Sequence, residues 1–375
     1  VGASAAAITV NNTDGTCTAN ITNNLSNRNL VQNGSFQIAQ RASSSTTSGY
    51  GSVDRWQGQH GSTGVTVTHS QQSTSSSDAP YQNGFQNFFR LALSGAGTAN
   101  AGAYLEMQHR IEAQNIANSG WNFKSSSSNI TLSFWVRPST NQTFYGYLRS
   151  SDGTAQHYAF SFTASANNTW TKITKTISGN TNLQFDNNNG EGFALVITPF
   201  YGTSYTNNLT LNQWAGIDNN NYLPDMASTW LTAGASTFDV TGVQLEVGSV
   251  ATDFEHRSFA QELATCQRYC QKLGASNGTY DCMSVGNAIY NTFGFVPHRL
   301  TVTMRSTPSF TLLGSASDFN YTRDGGDYAP TAIVLDQAGR NMVAVKVTGS
   351  NLSNDEAIRL FNMNTTGGYL FTAEV

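Results

Sequence analysis

Short strand-like runs recur along almost the whole chain, each closed by a cluster of turn residues, and this rhythm constrains the fold more than any motif. They occupy residues 65–68, 88–93, 130–137, 143–148, 158–162, 170–177, 192–200 and 238–247. Each is rich in β-branched and aromatic side chains, most alternate with period two, and Gly, Asn, Ser or Pro bound them. Many short strands separated by turns predict antiparallel sandwiches. Similar runs follow at 280–290, 294–296, 300–304, 310–313, 332–335, 342–347 and 369–371, while 352–360 suits a short helix or a turn. No fixed period links the two halves, which argues against solenoids, propellers and β-helices.

One segment breaks the pattern. Across 258–273, Phe259, Leu263, Cys266, Cys270 and Leu273 fall at steps of three or four, Ser258 with Gln261 fits a capping box, and Gly274 stands where a helix stops. The expected fold is all-β: two antiparallel β-sandwich, jelly-roll-like domains joined by one short helix, with an extended N-terminal arm. The boundaries fall at 1–27 for the arm or linker, 28–257 for a jelly-roll carbohydrate-binding-like domain, and 258–375 for the helix with a C-terminal β-sandwich domain. In the arm, Ile8 and Val10 are followed by Thr and Asn, with too little apolar surface to offset ordering entropy, so it is expected to gain order against a neighbouring subunit.

Only 11% of the residues are charged and the net charge is -4, so the exterior must be built from amides and hydroxyls. Such a surface gives no broad attraction for phosphate backbones or anionic lipid heads. No apolar run approaches the ~18 to 20 residues that cross a bilayer. Neither nucleic-acid binding nor membrane insertion is expected. The cysteines, Cys17, Cys266, Cys270 and Cys282, are too few and too clustered for a disulfide scaffold and are assigned as structural thiols. The histidines are scattered without metal-ligand spacing, and neither a metal nor another cofactor is expected.

Gly-x-Ser-x-Gly occurs at 274–278, where a helix is expected to stop and not to start, so it is not read as a nucleophile elbow, and no phosphate-cradling loop is present. Glycoside hydrolysis needs only two carboxylates ~5 to 9 Å apart, and Asp54, Glu106, Glu112, Asp186, Glu191, Asp218, Asp225, Asp239 and Glu246 could supply them. Sequence brings no two of these together, and no catalytic residue is assigned: the protein is expected not to be an enzyme. Glu246 lies on the face opposite Val243, Leu245 and Val247, where it is solvated or bonded to local backbone or Arg257. A structural calcium site, helped by Asp239 and carbonyls near Asn33, is the sharper alternative.

The aromatic inventory favours recognition. Tyr145 and Tyr147 share a strand face opposite Phe144; Tyr201, Tyr205 and Trp214 flank an Asn- and Thr-rich loop, and Trp230 follows another. Sugars lay an apolar C–H face on aromatic rings while amides and carboxylates bond their hydroxyls. Tyr201, Tyr205, Trp214 and Trp230 are therefore the candidate carbohydrate contacts. Trp135 and Trp170, inside strand patterns, are assigned to the core.

Four strings carry a resemblance. They are 28–41 (RNLVQNGSFQIAQR), 53–56 (VDRW), 132–137 (LSFWVR) and 240–248 (VTGVQLEVG), continued by 252–258 (TDFEHRS) into 262–269 (ELATCQRY), with 304–308 (MRSTP) beyond. Together they resemble a module of tailed-bacteriophage tail fibres and other virion structural proteins, which is similar to the jelly-roll carbohydrate-binding modules. The resemblance implies a tail fibre or receptor-binding protein assembled in the host cytoplasm into the virion. Its expected partners are other virion proteins, a host surface glycan or receptor, and copies of itself, as a trimer. A capsid decoration or cement protein is the alternative, and a polysaccharide-degrading tail enzyme the second. Against that enzyme, the β-helix repeats of depolymerase tailspikes are not recognisable.

Overall fold

The computed structural model describes residues 8–10, 17–19, 27–275 and 279–375. Strand β1 (Ile8–Val10) pairs antiparallel with β2 (Cys17–Ala19). The rest of the expected N-terminal arm up to residue 26 lies outside the described residues.

Two six-stranded sheets follow. Their strands are β3 (Ser44–Ser45), β4 (Trp56–Gly61), β5 (Val67–Ser73), β6 (Asn87–Leu93), β7 (Tyr104–Glu112) and β8 (Asn129–Pro138). The chain continues through β9 (Phe144–Ser150), β10 (Gln156–Phe162), β11 (Thr171–Ser178), β12 (Glu191–Tyr201), β13 (Trp214–Gly216) and β14 (Thr237–Val247). One sheet has the order β13-β10-β9-β12-β7-β4, the other β11-β8-β14-β6-β5-β3. The chain crosses repeatedly from one sheet to the other, which is jelly-roll wiring. Short helical turns α1 (Ala79–Gln82), α2 (Ala113–Ala117) and α3 (Thr229–Thr232) sit in the connections.

Period-two alternation fills the space between the sheets. Leu105, Met107 and Ile111 of β7, Phe144 and Leu148 of β9, and Phe193, Leu195 and Ile197 of β12 meet Leu132, Phe134 and Val136 of β8 and Phe238 and Val240 of β14. Aromatic edges lock the two layers, Phe144 against Phe238 at 5.0 Å between ring centroids and Phe134 against Phe162 at 5.2 Å. Trp170 is buried as expected, but Trp135 is only half-buried, because it lies out of phase with its core neighbours Phe134 and Val136.

Helix α4 (Phe259–Gln267) is closed at its start by the expected capping box between Ser258 and Gln261. It is shorter than the 258–273 that the apolar spacing suggests. The chain turns at Arg268 and enters β15 (Cys270–Gly274), which pairs with a strand at the far end of the chain. A complete backbone ladder there outweighs the weak helical periodicity. Cys266 and Cys270 are thus on different elements, both buried and both free thiols.

The C-terminal region is a second sandwich. It contains β16 (Cys282–Tyr290), β17 (Phe293–Arg299), β18 (Ser309–Leu313), β19 (Phe319–Arg323), β20 (Gly326–Tyr328), β21 (Ala332–Ala338), β22 (Met342–Thr348), β23 (Glu356–Asn362) and β24 (Gly368–Thr372). A three-stranded sheet, β15-β24-β18, packs on a seven-stranded one, β20-β19-β23-β16-β17-β22-β21. Two expectations are corrected here. The 352–360 stretch supplies β23, because Ile358 and Leu360 alternate into the core between β16 and β19. The 300–304 run is irregular, although Leu300 and Met304 are still buried.

Of the strings that carry the resemblance, 28–41, 53–56 and 262–269 meet at the junction of the two sandwiches, while 132–137 lies in β8 inside the first sandwich. Asn33, in the left-handed region at φ 54°, bonds the carbonyls of Ile38 at 2.8 Å and Asp54 at 2.9 Å through its amide. Its backbone N–H donates to Glu262 of α4. Gly34 is forced by close approach, since a β-carbon there would fall 2.1 Å from the Val243 carbonyl oxygen. Arg55, fully buried, stacks 3.5 Å from the centre of the Tyr269 ring and pairs with Glu374. Glu112 receives a two-pronged pair from Arg268 at 2.7 and 2.8 Å.

Candidate functional site

The outward face of the β13-to-β4 sheet bears the candidate site. On β7 the alternation that sends Leu105, Met107 and Ile111 inward sends Tyr104, Glu106, Gln108 and Arg110 outward. Gln59 of β4 and Tyr147 and Arg149 of β9 flank them. Tyr205 and Tyr222, from the long 202–228 connection, form the rim. The cavity, open to solvent, has a volume of ≈ 280 Å³.

Tyr201 reaches this cavity because of a β-bulge. In β12, Ile197 is opposite Met107 and Phe200 opposite Leu105, so three steps along β12 match two along β7. The extra residue reverses the alternation, leaving Phe200 in the core and turning Tyr201 outward, as bulges beside functional sites commonly do. Gly202 then lets the chain leave the strand tightly: a β-carbon would fall 2.2 Å from the Asn100 carbonyl oxygen.

At the floor, the Tyr201 hydroxyl donates to Glu106, and the Tyr147 hydroxyl lies 3.1 Å from the Tyr201 hydroxyl. Burial raises the Glu106 carboxyl above its ordinary range, against the opposing pull of Tyr201, Arg149 and Arg110. Gln59 donates to Gln108 at 3.1 Å, and Arg110 donates to the same amide oxygen at 3.2 Å. At the edge, Glu191 bridges Arg149 at 2.7 Å and Arg110 at 3.2 Å. Burial would raise the Glu191 carboxyl, but Arg149, Ser151 and Arg110 together hold it below the usual value. His157, 4.8 Å from the Tyr147 ring, is pushed down to about 4 by burial and then by Arg149, so it is neutral at physiological pH.

This arrangement brings tyrosine rings together with amide, carboxyl and guanidinium groups around one cavity. It suits a small polyhydroxylated ligand. A larger groove of ≈ 1230 Å³ between the first sandwich and α4 has no Phe, Tyr or Trp in its lining and adjoins residues outside the described set. It offers hydrogen bonds, and its one aromatic ring is the His256 imidazole.

Of the four aromatic candidates, the structure brings two together. Tyr201 and Tyr205 lie 5.4 Å apart by ring centroid, both at the cavity. Trp214 is on the core side: it is opposite Tyr158 in the ladder, lies parallel to Phe193 at 6.0 Å, and donates its indole N–H to the Ser178 carbonyl at 2.7 Å. Trp230 is corrected to a core residue, fully buried with its indole N–H on the Thr237 carbonyl at 2.9 Å. Neither tryptophan offers a face to the cavity. Tyr104, Gln59, Gln108, Arg110, Arg149 and Tyr222 were not among the sequence candidates. The visible signal was the polar series at every second position from Tyr104 to Arg110.

The carboxylates weighed for calcium are otherwise engaged. Asp239 pairs with Arg90 at 2.7 Å and Arg137 at 2.9 Å. Glu246 accepts from the Thr252 backbone N–H at 2.8 Å, the Thr252 hydroxyl at 2.6 Å and Gln244 at 2.9 Å. The expected bond to local backbone is made; the arginine beside Glu246 is Arg28, at 3.7 Å, not Arg257. Among the described residues no group of three or more His, Cys, Asp or Glu could hold a metal ion.

No family model matches the chain, and no curated protein does. Solved structures do. The enzymatically active domain of bacteriophage CBA120 tailspike protein 4 is 14% identical over 59% of this chain, with a TM-score of 0.32, and the match spans 21% of that domain. A family 4 carbohydrate-binding module is 12% identical over 58% of this chain and 99% of its own, with a TM-score of 0.30. The family 11 carbohydrate-binding module of a Clostridium thermocellum cellulosomal cellulase is 12% identical over 57% of this chain and 97% of its own, with a TM-score of 0.28. The functional reading therefore rests on the geometry of the cavity itself.

Proposed function

We propose that the chain is a glycan-binding protein that holds neutral sugar residues in the cavity over β7 without transforming them. The observation that carries this is the convergence of Tyr104, Tyr147, Tyr201, Tyr205 and Tyr222 around Glu106 and Gln108. Rings supply faces for the apolar side of a sugar, and the amide and carboxyl groups match its hydroxyls in both donor and acceptor roles. The two acids nearest the cavity are committed to structural pairs, Glu106 with Tyr201 and Glu191 with two arginines. A printed array of neutral glycans tests this: the protein is expected to retain a subset, and Tyr104→Ala/Tyr205→Ala to lose it. Equal retention by the double variant would overturn the reading. Incubation with a retained polysaccharide is expected to leave its chain length unchanged, and release of oligosaccharides would make the protein an enzyme.

The finer reading places the protein in a phage particle, as a tail fibre or receptor-binding subunit that forms trimers and contacts host surface glycan. Its support is the resemblance of 28–41, 53–56, 132–137 and 240–248 to such modules. Gold-labelled antibody on intact particles would mark the tail on this reading and the head if the protein is a cement. Light scattering would give three times the mass of one chain for the trimer.

A further inference from the structure

We propose that the cavity receives the end of a glycan chain, one or two neutral sugar residues, and not the interior of a long polysaccharide. This rests on the glycan-binding reading and goes beyond it by naming the part of the ligand that fits.

The sheet beneath the cavity has six strands, a span of ~24 Å from edge to edge at ~4.8 Å per strand. An uncovered face of that width would be a groove open at both ends. The part toward β10 is covered. Ala159 of β10 and Ala194 and Val196 of β12 are on the outward face, yet each is exposed by 1% or less. What covers them is the 202–228 connection, which plants Leu223, fully buried, with Leu209, Leu211 and Met226 around it, on this apolar patch.

The connection is built as a wall. Tyr222 lies nearly parallel to Tyr147, 5.5 Å away at 19°. Tyr222 N–H donates to the Tyr205 carbonyl at 2.9 Å, and Asn207 N–H to the Leu223 carbonyl at 3.0 Å, so the two limbs brace each other. Thr206 donates to Asp225 at 2.7 Å. Farther on, Asn212 N–H donates to the Ala159 carbonyl at 2.8 Å, and β13 pairs with β10. The wall stops at Tyr205 and Tyr222. What remains open runs from β9 across β12 and β7 to β4, lined by Tyr147 and Arg149, Tyr201, Gln108 and Gln59, a space of ≈ 280 Å³, just below the ~300 to 1,000 Å³ typical of ligand pockets. A chain entering from the β4 side meets Tyr222 and goes no farther.

The test prints di- and hexasaccharides of glucose, galactose, mannose and N-acetylglucosamine and measures each retained pair by calorimetry with the intact protein. Affinities for a disaccharide and its hexasaccharide are expected to agree within about threefold. A hexasaccharide blocked at both ends with bulky aglycones is expected to bind at least tenfold more weakly. A hexasaccharide that binds tenfold more tightly than its disaccharide, or one indifferent to blocking, would overturn the proposal while leaving glycan binding intact. Retention of none of these sugars would overturn the binding reading itself, and the proposal with it.

Discussion

Tyr201 donates its hydroxyl hydrogen to Glu106 at the floor of the cavity, and both groups are buried. The bulge in β12 makes the pair possible, since regular alternation would have sent the tyrosine into the core. Burial leaves the Glu106 proton harder to remove than in the unfolded chain, where a glutamate titrates near ~4.3. The folded state then keeps a proton that the unfolded state has lost, so this residue's contribution to stability falls as pH rises through the window from that value to the raised one. Glu106→Gln removes the titration. Its melting temperature relative to the parent should rise as pH goes from 4 to 7, and a pH-independent difference would show that Glu106 is not perturbed.

Tyr104 and Tyr205 are half-buried at the cavity wall, edge to face at 5.9 Å. Each ring truncated to alanine should weaken glycan binding about tenfold, ~1.4 kcal/mol. Because neither is a core residue, thermal melts should move by only a few degrees. Calorimetric titration beside a melting curve separates the two effects.

Trp230 predicts the reverse. Trp230→Ala opens a cavity in the core and should cost ~3 to 5 kcal/mol in denaturant unfolding. Trp230→Phe, which keeps most of the volume, should bind glycan as the parent does. A large loss of affinity in a well-folded Trp230→Phe protein would return this residue to the binding surface.

Between the sandwiches, Glu374 neutralises Arg55 and Arg41. Burial disfavours the Arg55 charge, but Glu374 and the Tyr269 hydroxyl outweigh it and raise its pKa. Glu374→Ala leaves a fully buried guanidinium without its carboxylate, and removing one partner of such a pair costs ~3 to 5 kcal/mol. Denaturant titration should show that loss, and limited proteolysis should cut faster near Arg268.

The fold was legible where side chains alternate. Strands such as β8 and β14 announce both their faces in the sequence, and the capping box at Ser258 announces where α4 begins. The end of α4 was hidden because Cys270 and Leu273 fit a helical stripe as well as a strand, and only a partner a hundred residues away, β24, decides between them. Several residues of those strings proved to be junction residues: Asn33, Asp54, Arg55 and Glu262 bind one another's elements together, and none of them lines the cavity. At the cavity, Tyr201 and Tyr205 stood out as loop-end aromatics. Tyr222 did not, because its place depends on how the 202–228 connection folds back, and local spacing says nothing about that.

The central claim is that neutral glycan sits against the tyrosines over β7. Titration of ring-labelled tyrosine with a retained oligosaccharide, followed by NMR, tests it directly. The account predicts shifts for Tyr104, Tyr205 and Tyr222, with Tyr280 and Tyr290, exposed on the second sandwich, unmoved. Shifts confined to Tyr280 and Tyr290 would contradict it.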